Sequence, residues 1–100
     1  MIKDLNDERL LSYAFAVRSG ETKEFSLLIE CNTGYYLRGS VVAGLALEAK
    51  HNLSGTWVDL ETTPIDLSGW DGTDQEFDFR VTAGTITARD RVSFNISVGI

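Results

Sequence analysis

Residues 75–81 read QEFDFRV, with Phe77, Phe79 and Val81 at alternate positions and Glu76, Asp78 and Arg80 between them. A period of two, apolar on one side and charged on the other, predicts a half-buried β-strand. The closing stretch VSFNISV, residues 92–98, repeats the pattern: Val92, Phe94, Ile96 and Val98 alternate with Ser93, Asn95 and Ser97. Upstream, LLSYAFAV (10–17) places Leu11, Tyr13, Phe15 and Val17 on one face, and EFSLLIE (24–30) does the same with Phe25, Leu27 and Ile29. Strands with one dry and one wet face belong to two antiparallel layers rather than to a parallel sheet buried on both sides.

Turn chemistry separates these strands. Arg18–Glu21, Cys31–Gly34, Asp71-Gly72 and Ala83-Gly84 all carry residues suited to tight turns. Tyr35–Arg38, Thr56–Glu61, Ile65–Leu67 and Thr85–Ala88 read as shorter extended pieces. Val41–Ala49 is ambiguous. Its Ala, Leu, Glu and Lys suit a helix, but Val41, Ala43, Leu45, Leu47 and Ala49 also alternate. Gly44 in the middle disfavours a helix by about 1 kcal/mol relative to Ala, so a single strand is the preferred reading. Pro64 and the short piece Thr85–Ala88 mark candidate sheet edges. The sum is seven or eight short strands with turns roughly every 8–12 residues, which predicts an all-β protein. The expected architecture is a small antiparallel β-sandwich, immunoglobulin/fibronectin-like. The single cysteine excludes the Cys…Trp…Cys arrangement of a true immunoglobulin domain. Residues 1–9, polar apart from Ile2 and Leu5, read as an N-terminal arm, and residues 10–100 as the sandwich domain.

Composition narrows the functional classes. One hundred residues make one domain with a core that stands without staples. A net charge of −6, with the nine basic residues scattered, argues against a nucleic-acid surface. The longest uncharged apolar-leaning run, Gly39–Leu47, is about half of what a bilayer-spanning helix needs, and the opening MIKDLNDERLL lacks the apolar stretch of a secretory signal. The expectation is therefore neither membrane insertion nor ordinary secretion, and the sequon at Asn52-Leu-Ser54 carries no weight. Cys31 reads as a buried small hydrophobe.

No spacing of residues points to a reaction. His51 is the sole histidine and reads as a solvated turn residue, so no histidine cluster for a metal can form, and nothing in the sequence orients His51 as the base of a Ser-His or Cys-His nucleophile pair. The fifteen acids fall mainly at outward strand positions or in turns, where hydration is their default. No GxGxxG, P-loop or HExxH pattern occurs. The chain is read as a non-enzyme with no cofactor. The weak candidates for a metal are Asp66, Asp71, Asp74 and Glu76, a local group of oxygen ligands that misses the EF-hand spacing. Candidates for partner contact are aromatic. In Thr56–Glu61, Val58 and Leu60 form the dry face, so Trp57 shares the wet one with Asp59 and Glu61. Trp70 follows Leu67 in a loop and reads as an end cap or an exposed ring. Tyr35 and Tyr36 complete the set, with core or edge filling as their other reading.

The run GTWVDLETTPIDLS, the FDFRV strand and the closing RDRVSFNISV, together spanning roughly residues 54–99, resemble small bacteriophage virion proteins with an immunoglobulin-like or similar β-sandwich. DERLLSYAFAV matches more loosely. The resemblance implies a non-catalytic structural protein of the virion, made in the host cytoplasm. It would decorate a head or build a connector or tail by binding itself or other virion proteins. It carries over no catalytic or ligand residue. Two alternatives stay open: a glycan- or cell-surface-binding module using the tryptophans, and an assembly adaptor that pairs through an exposed edge strand.

Overall fold

The computed structural model describes residues 2–3, 9–10, 13–18, 20–41, 44–53, 55–84 and 91–99. Among the described residues ten strands form in chain order: β1 (Ile2–Lys3), β2 (Arg9–Leu10), β3 (Tyr13–Arg18), β4 (Thr22–Glu30), β5 (Tyr36–Val41), β6 (Leu45–His51), β7 (Val58–Asp59), β8 (Ile65–Asp66), β9 (Asp74–Ala83) and β10 (Arg91–Gly99). They make a six-stranded sheet in the order β2-β1-β4-β9-β6-β7 and a four-stranded sheet in the order β3-β10-β5-β8. Every pairing among them is antiparallel. The molecule is a small all-β protein whose two sheets pack as a sandwich.

QEFDFRV lies in β9, the strand around which the larger sheet is built. It pairs with β4 from Thr22↔Thr82 to Glu30↔Asp74 and with β6 from Leu45↔Ala83 to His51↔Phe77. Because the register is continuous, the dry positions of all three strands meet on one face: Leu27 and Ile29, Leu47 and Ala49, Phe77, Phe79 and Val81. Leu37 from β5 and Ile96 from β10 close the core from the smaller sheet. Phe25 stacks on Phe79 with ring centroids 5.3 Å apart. Each fully buried Val, Leu, Ile or Phe side chain among these contributes on the order of 1.5–3 kcal/mol.

The strand order departs from the immunoglobulin expectation. In that architecture the first two strands are neighbours in one sheet. Here each step from β3 to β10 crosses to the other sheet, except β6 to β7. The orders β3-β10-β5-β8 and β4-β9-β6-β7 are those of a jelly roll, extended at the β4 side by β1 and β2. Alternation in sequence is the same in both arrangements, since each strand shows one face to the same core whichever sheet it joins.

Two segments differ from their reading in sequence. Val41–Ala49 is not one strand. Val41 ends β5 opposite Phe94, and Leu45 begins β6 opposite Ala83 in the other sheet. The period of two runs across this crossover because both strands face one core, and only Gly44, with φ at 96°, marks the turn. Of the stretch 1–9 read as an arm, Ile2 and Lys3 pair with Ile29 and Leu28 of β4, and Ile2 is buried in the core. The short piece expected at Thr85–Ala88 lies outside the described residues.

The two ends of the sandwich are knit differently. At one, the Gly20 N–H donates to the carbonyls of Ala83 and Gly84, and the Gly84 N–H to Gly44. At the other, residues 31–35 dock on residues 67–73. Cys31 N–H donates to the Thr73 carbonyl, Gly72 N–H to Cys31, and Leu67 N–H to Tyr35. The Thr33 and Gly34 N–H groups donate to Asp71 Oδ1 and Ser68 Oγ at 2.7 and 2.9 Å.

Candidate binding surface

The wet positions of β9 project from the outer face of the larger sheet, where register decides their neighbours. Arg80 lies between Glu24 and Glu48, and Asp78 between Ser26 and Lys50. The Arg80 guanidinium reaches Glu48 Oε1 from Nη2 at 2.9 Å and from Nε at 3.0 Å. Asp78 accepts the Ser26 hydroxyl at 2.7 Å and has the Lys50 ammonium at 3.9 Å. Asn52 Nδ2 donates to Glu76 at 3.1 Å and to Asp78 at 3.4 Å. These partly exposed pairs contribute a few tenths of a kcal/mol each, up to about 1. Their larger consequence is to hold two cations still beneath an aromatic ring.

That ring is Trp57. The β7 register sets Asp59 opposite Glu48 and Val58 opposite Ala49, which brings position 57 beside Lys50. The indole centroid lies 4.3 Å from the Arg80 guanidinium carbon and 5.2 Å from Lys50 Nζ, and the side chain is half-buried. Cation–π contact of this kind contributes about 0.5–1 kcal/mol at such sites. The chain reaches this position through a close turn in which Gly55 N–H donates to the His51 carbonyl at 3.1 Å. A side chain at residue 55 would place Cβ 2.5 Å from the His51 nitrogen, so glycine is required by contact. On the same turn Leu53 is 84% exposed, an apolar residue that the period-two reading passes over because it belongs to no strand.

Trp70 occupies a different environment. It ends the 3-10 turn Ser68–Trp70 and stacks on the His51 imidazole, with centroids 4.7 Å apart and planes within 5°. Both rings meet Phe77 edge-on, at 5.5 and 5.3 Å. His51 is thus a half-buried strand residue and not a solvated turn residue, because it continues the inward parity of Leu47 and Ala49. Its Nδ1 accepts the Leu53 N–H at 3.3 Å, which leaves Nε2 as donor to Gln75 Oε1 at 2.9 Å. Gln75 Nε2 donates to Thr73 Oγ1 at 3.0 Å, and that hydroxyl donates to the Trp70 carbonyl at 2.6 Å. The relay closes on the residue whose ring it started under.

The four aromatic candidates therefore do not form one patch. Trp57 lies on the outer face of the larger sheet. Trp70 packs against the core at one end, with Tyr35 also against the core. Tyr36 is on the smaller sheet, opposite Asp66, with the Arg38 guanidinium 5.2 Å from its ring.

The candidate metal ligands are also apart in role. Asp66 accepts the Ser68 N–H at 2.9 Å, and that bond, followed by one from the Ser68 hydroxyl, holds its carboxyl below the usual range. Asp71 is engaged by Thr33, and Glu76 by Asn52. Among the described residues no three His, Cys, Asp or Glu side chains gather as a metal site. Cys31 is buried, donates to the Ile29 carbonyl at 3.3 Å, and has its thiol pushed up to about 11, first by burial and then by Asp74. It is a thiol, not a thiolate, at neutral pH. Among the described residues no helix is long and apolar enough to cross a membrane.

Fold and surface together describe a two-sheet β-sandwich with an aromatic ring mounted on ordered charges. Comparison with protein-family models, with curated proteins and with solved structures finds no match.

Proposed function

We propose that this chain is a non-catalytic structural protein of a phage particle, acting by self-association or by attachment to other virion proteins, with Trp57 as a principal contact. The observation that carries this reading is the mounting of Trp57. A large ring that is already ordered by Arg80 and Lys50, yet half-exposed, loses little side-chain freedom when a partner covers it. The jelly-roll strand order supports the same reading, since that architecture serves viral shells, although fold alone selects no function. The resemblance of residues 54–99 to small virion proteins supplies the particle.

The test is incorporation. Purified chain and its Trp57→Ala variant are mixed with particles assembled from the products of neighbouring genes and sedimented, with light scattering of each alone. Wild type is expected to self-associate or to co-sediment, and the variant to lose at least part of that behaviour. A strictly monomeric wild type that stays in the supernatant overturns the proposal. Lectin domains also use jelly rolls, so the same half-exposed ring favours a glycan-binding module as the second reading. A shift in Trp57 fluorescence on adding polysaccharide, measured in a Trp70→Phe background, would move the assignment there.

A further inference from the structure

We propose that β3 is an interface strand, pairing antiparallel with β3 of a second copy so that the smaller sheet continues from one chain into the next. This rests on the reading of the chain as a self-associating structural protein. The four sheet edges are unequal. The larger sheet ends at β2 and β7, the smaller at β3 and β8. β2, β7 and β8 are two residues long and contain Arg9, Asp59 and Asp66, and Pro64 directly precedes β8. Short strands, charges and proline are the means by which edges avoid recruiting a neighbour. β3 has none of these before its last residue: it is six residues, YAFAVR. It pairs with β10 from Tyr13↔Ile96 to Arg18↔Arg91, and no other described strand pairs with it. Among the described residues its outer edge, about 20 Å long, is therefore without a strand partner for its backbone donors and acceptors.

The composition of β3 selects a copy of itself as occupant. The chain carries a net charge of −6, and β3 contains no acid, so like-charged copies meet here with least repulsion. Cross-strand neighbours share a face, which puts positions 13, 15 and 17 on the side of the buried Ile96. Keeping that side dry in both copies requires an even register. With Phe15 opposite itself, Tyr13 faces Val17 of the copy and Ala14 faces Ala16, and aromatic with β-branched is a favourable cross-strand pair. The two Arg18 positions then lie at opposite ends, roughly 20 Å apart and beyond the screening length.

The test uses the wet-face positions. Ala14→Lys/Ala16→Lys places lysine opposite lysine in the paired state, at positions that share the sheet face of the exposed Asn95. Ala14→Glu/Ala16→Glu does the same with acids. Light scattering should show wild-type dimers, a dimer dissociation constant raised on the order of tenfold or more in each variant alone, and dimers restored when the two variants are mixed. A wild-type oligomer that survives both variants overturns the β3 interface and leaves self-association standing. A monomeric wild type that still joins particles overturns the interface and leaves attachment standing. Should the variants fail to fold, hydrogen exchange of wild type decides: amide protection in residues 13–18 must rise with protein concentration, and a concentration-independent pattern overturns the proposal.

Discussion

Two tryptophans thirteen positions apart are held by opposite means. Trp70 is held by packing: it lies on His51, meets Phe77 edge-on, and its carbonyl closes a hydrogen-bond relay through Gln75 and Thr73. Trp57 is held by charge, on Arg80 and Lys50, which are in turn fixed by Glu48 and Asp78. The first arrangement removes apolar surface from water and belongs to stability. The second leaves part of the ring exposed and contributes little to folding, which is what a contact residue requires. Under the proposed function, two tryptophans at similar exposure serve different ends, and the difference lies in whether an aromatic ring or a cation lies beneath the indole.

Substitution separates the two roles. Trp70→Ala should cost about 2–3 kcal/mol in denaturant unfolding, because it uncovers Phe77 and His51 together. If it costs no more than Trp57→Ala, the contrast fails. Gln75→Leu should cost about 1–2 kcal/mol by removing the Oε1 acceptor of the His51 Nε2–H, while the Thr73 hydroxyl keeps the Trp70 carbonyl. The imidazole nitrogen shifts by NMR should report loss of the Nε2–H tautomer preference. Trp57→Ala should cost less than about 1 kcal/mol, with its effect appearing instead in association. Smallest at neutral pH is Cys31→Ala, whose signature is in the alkaline limb. Above the ordinary thiol value of 9.0 the unfolded chain releases a proton that the folded chain keeps to about 11, so stability falls through that window. The variant should show a shallower decline than wild type between pH 9 and 11, and parallel curves would mean that Cys31 is not shielded.

Much of the fold was legible because alternation reports burial directly. Phe77, Phe79 and Val81 face the core as their period requires, and so do Leu27, Ile29 and Ile96. Asp71-Gly72 turns where its composition indicates, with Gly72 at a φ of 79°. What alternation cannot report is which sheet a strand joins. Val41 and Leu45 keep one rhythm across a crossover between layers, and the same blindness made an immunoglobulin order as natural an expectation as the jelly roll. The site was legible in part. Val58 and Leu60 alone put Trp57 on the wet face, but Arg80 and Lys50 become its support only through the β9-β6-β7 register.

The amino-acid sequence by itself determined the all-β class, the identity of the dry faces, the turn positions carried by glycine, and the wet side of Trp57. These depend on residues within a few positions of one another, where periodicity and backbone preference act. The tertiary structure alone decided the strand order, the entry of Ile2 into the core, the His51–Trp70 stack and the length of β3 as against the two-residue edge strands β2, β7 and β8. Each of these is set by pairing between segments far apart in the chain, and antiparallel register is chosen by the total apolar surface buried, which no local window contains.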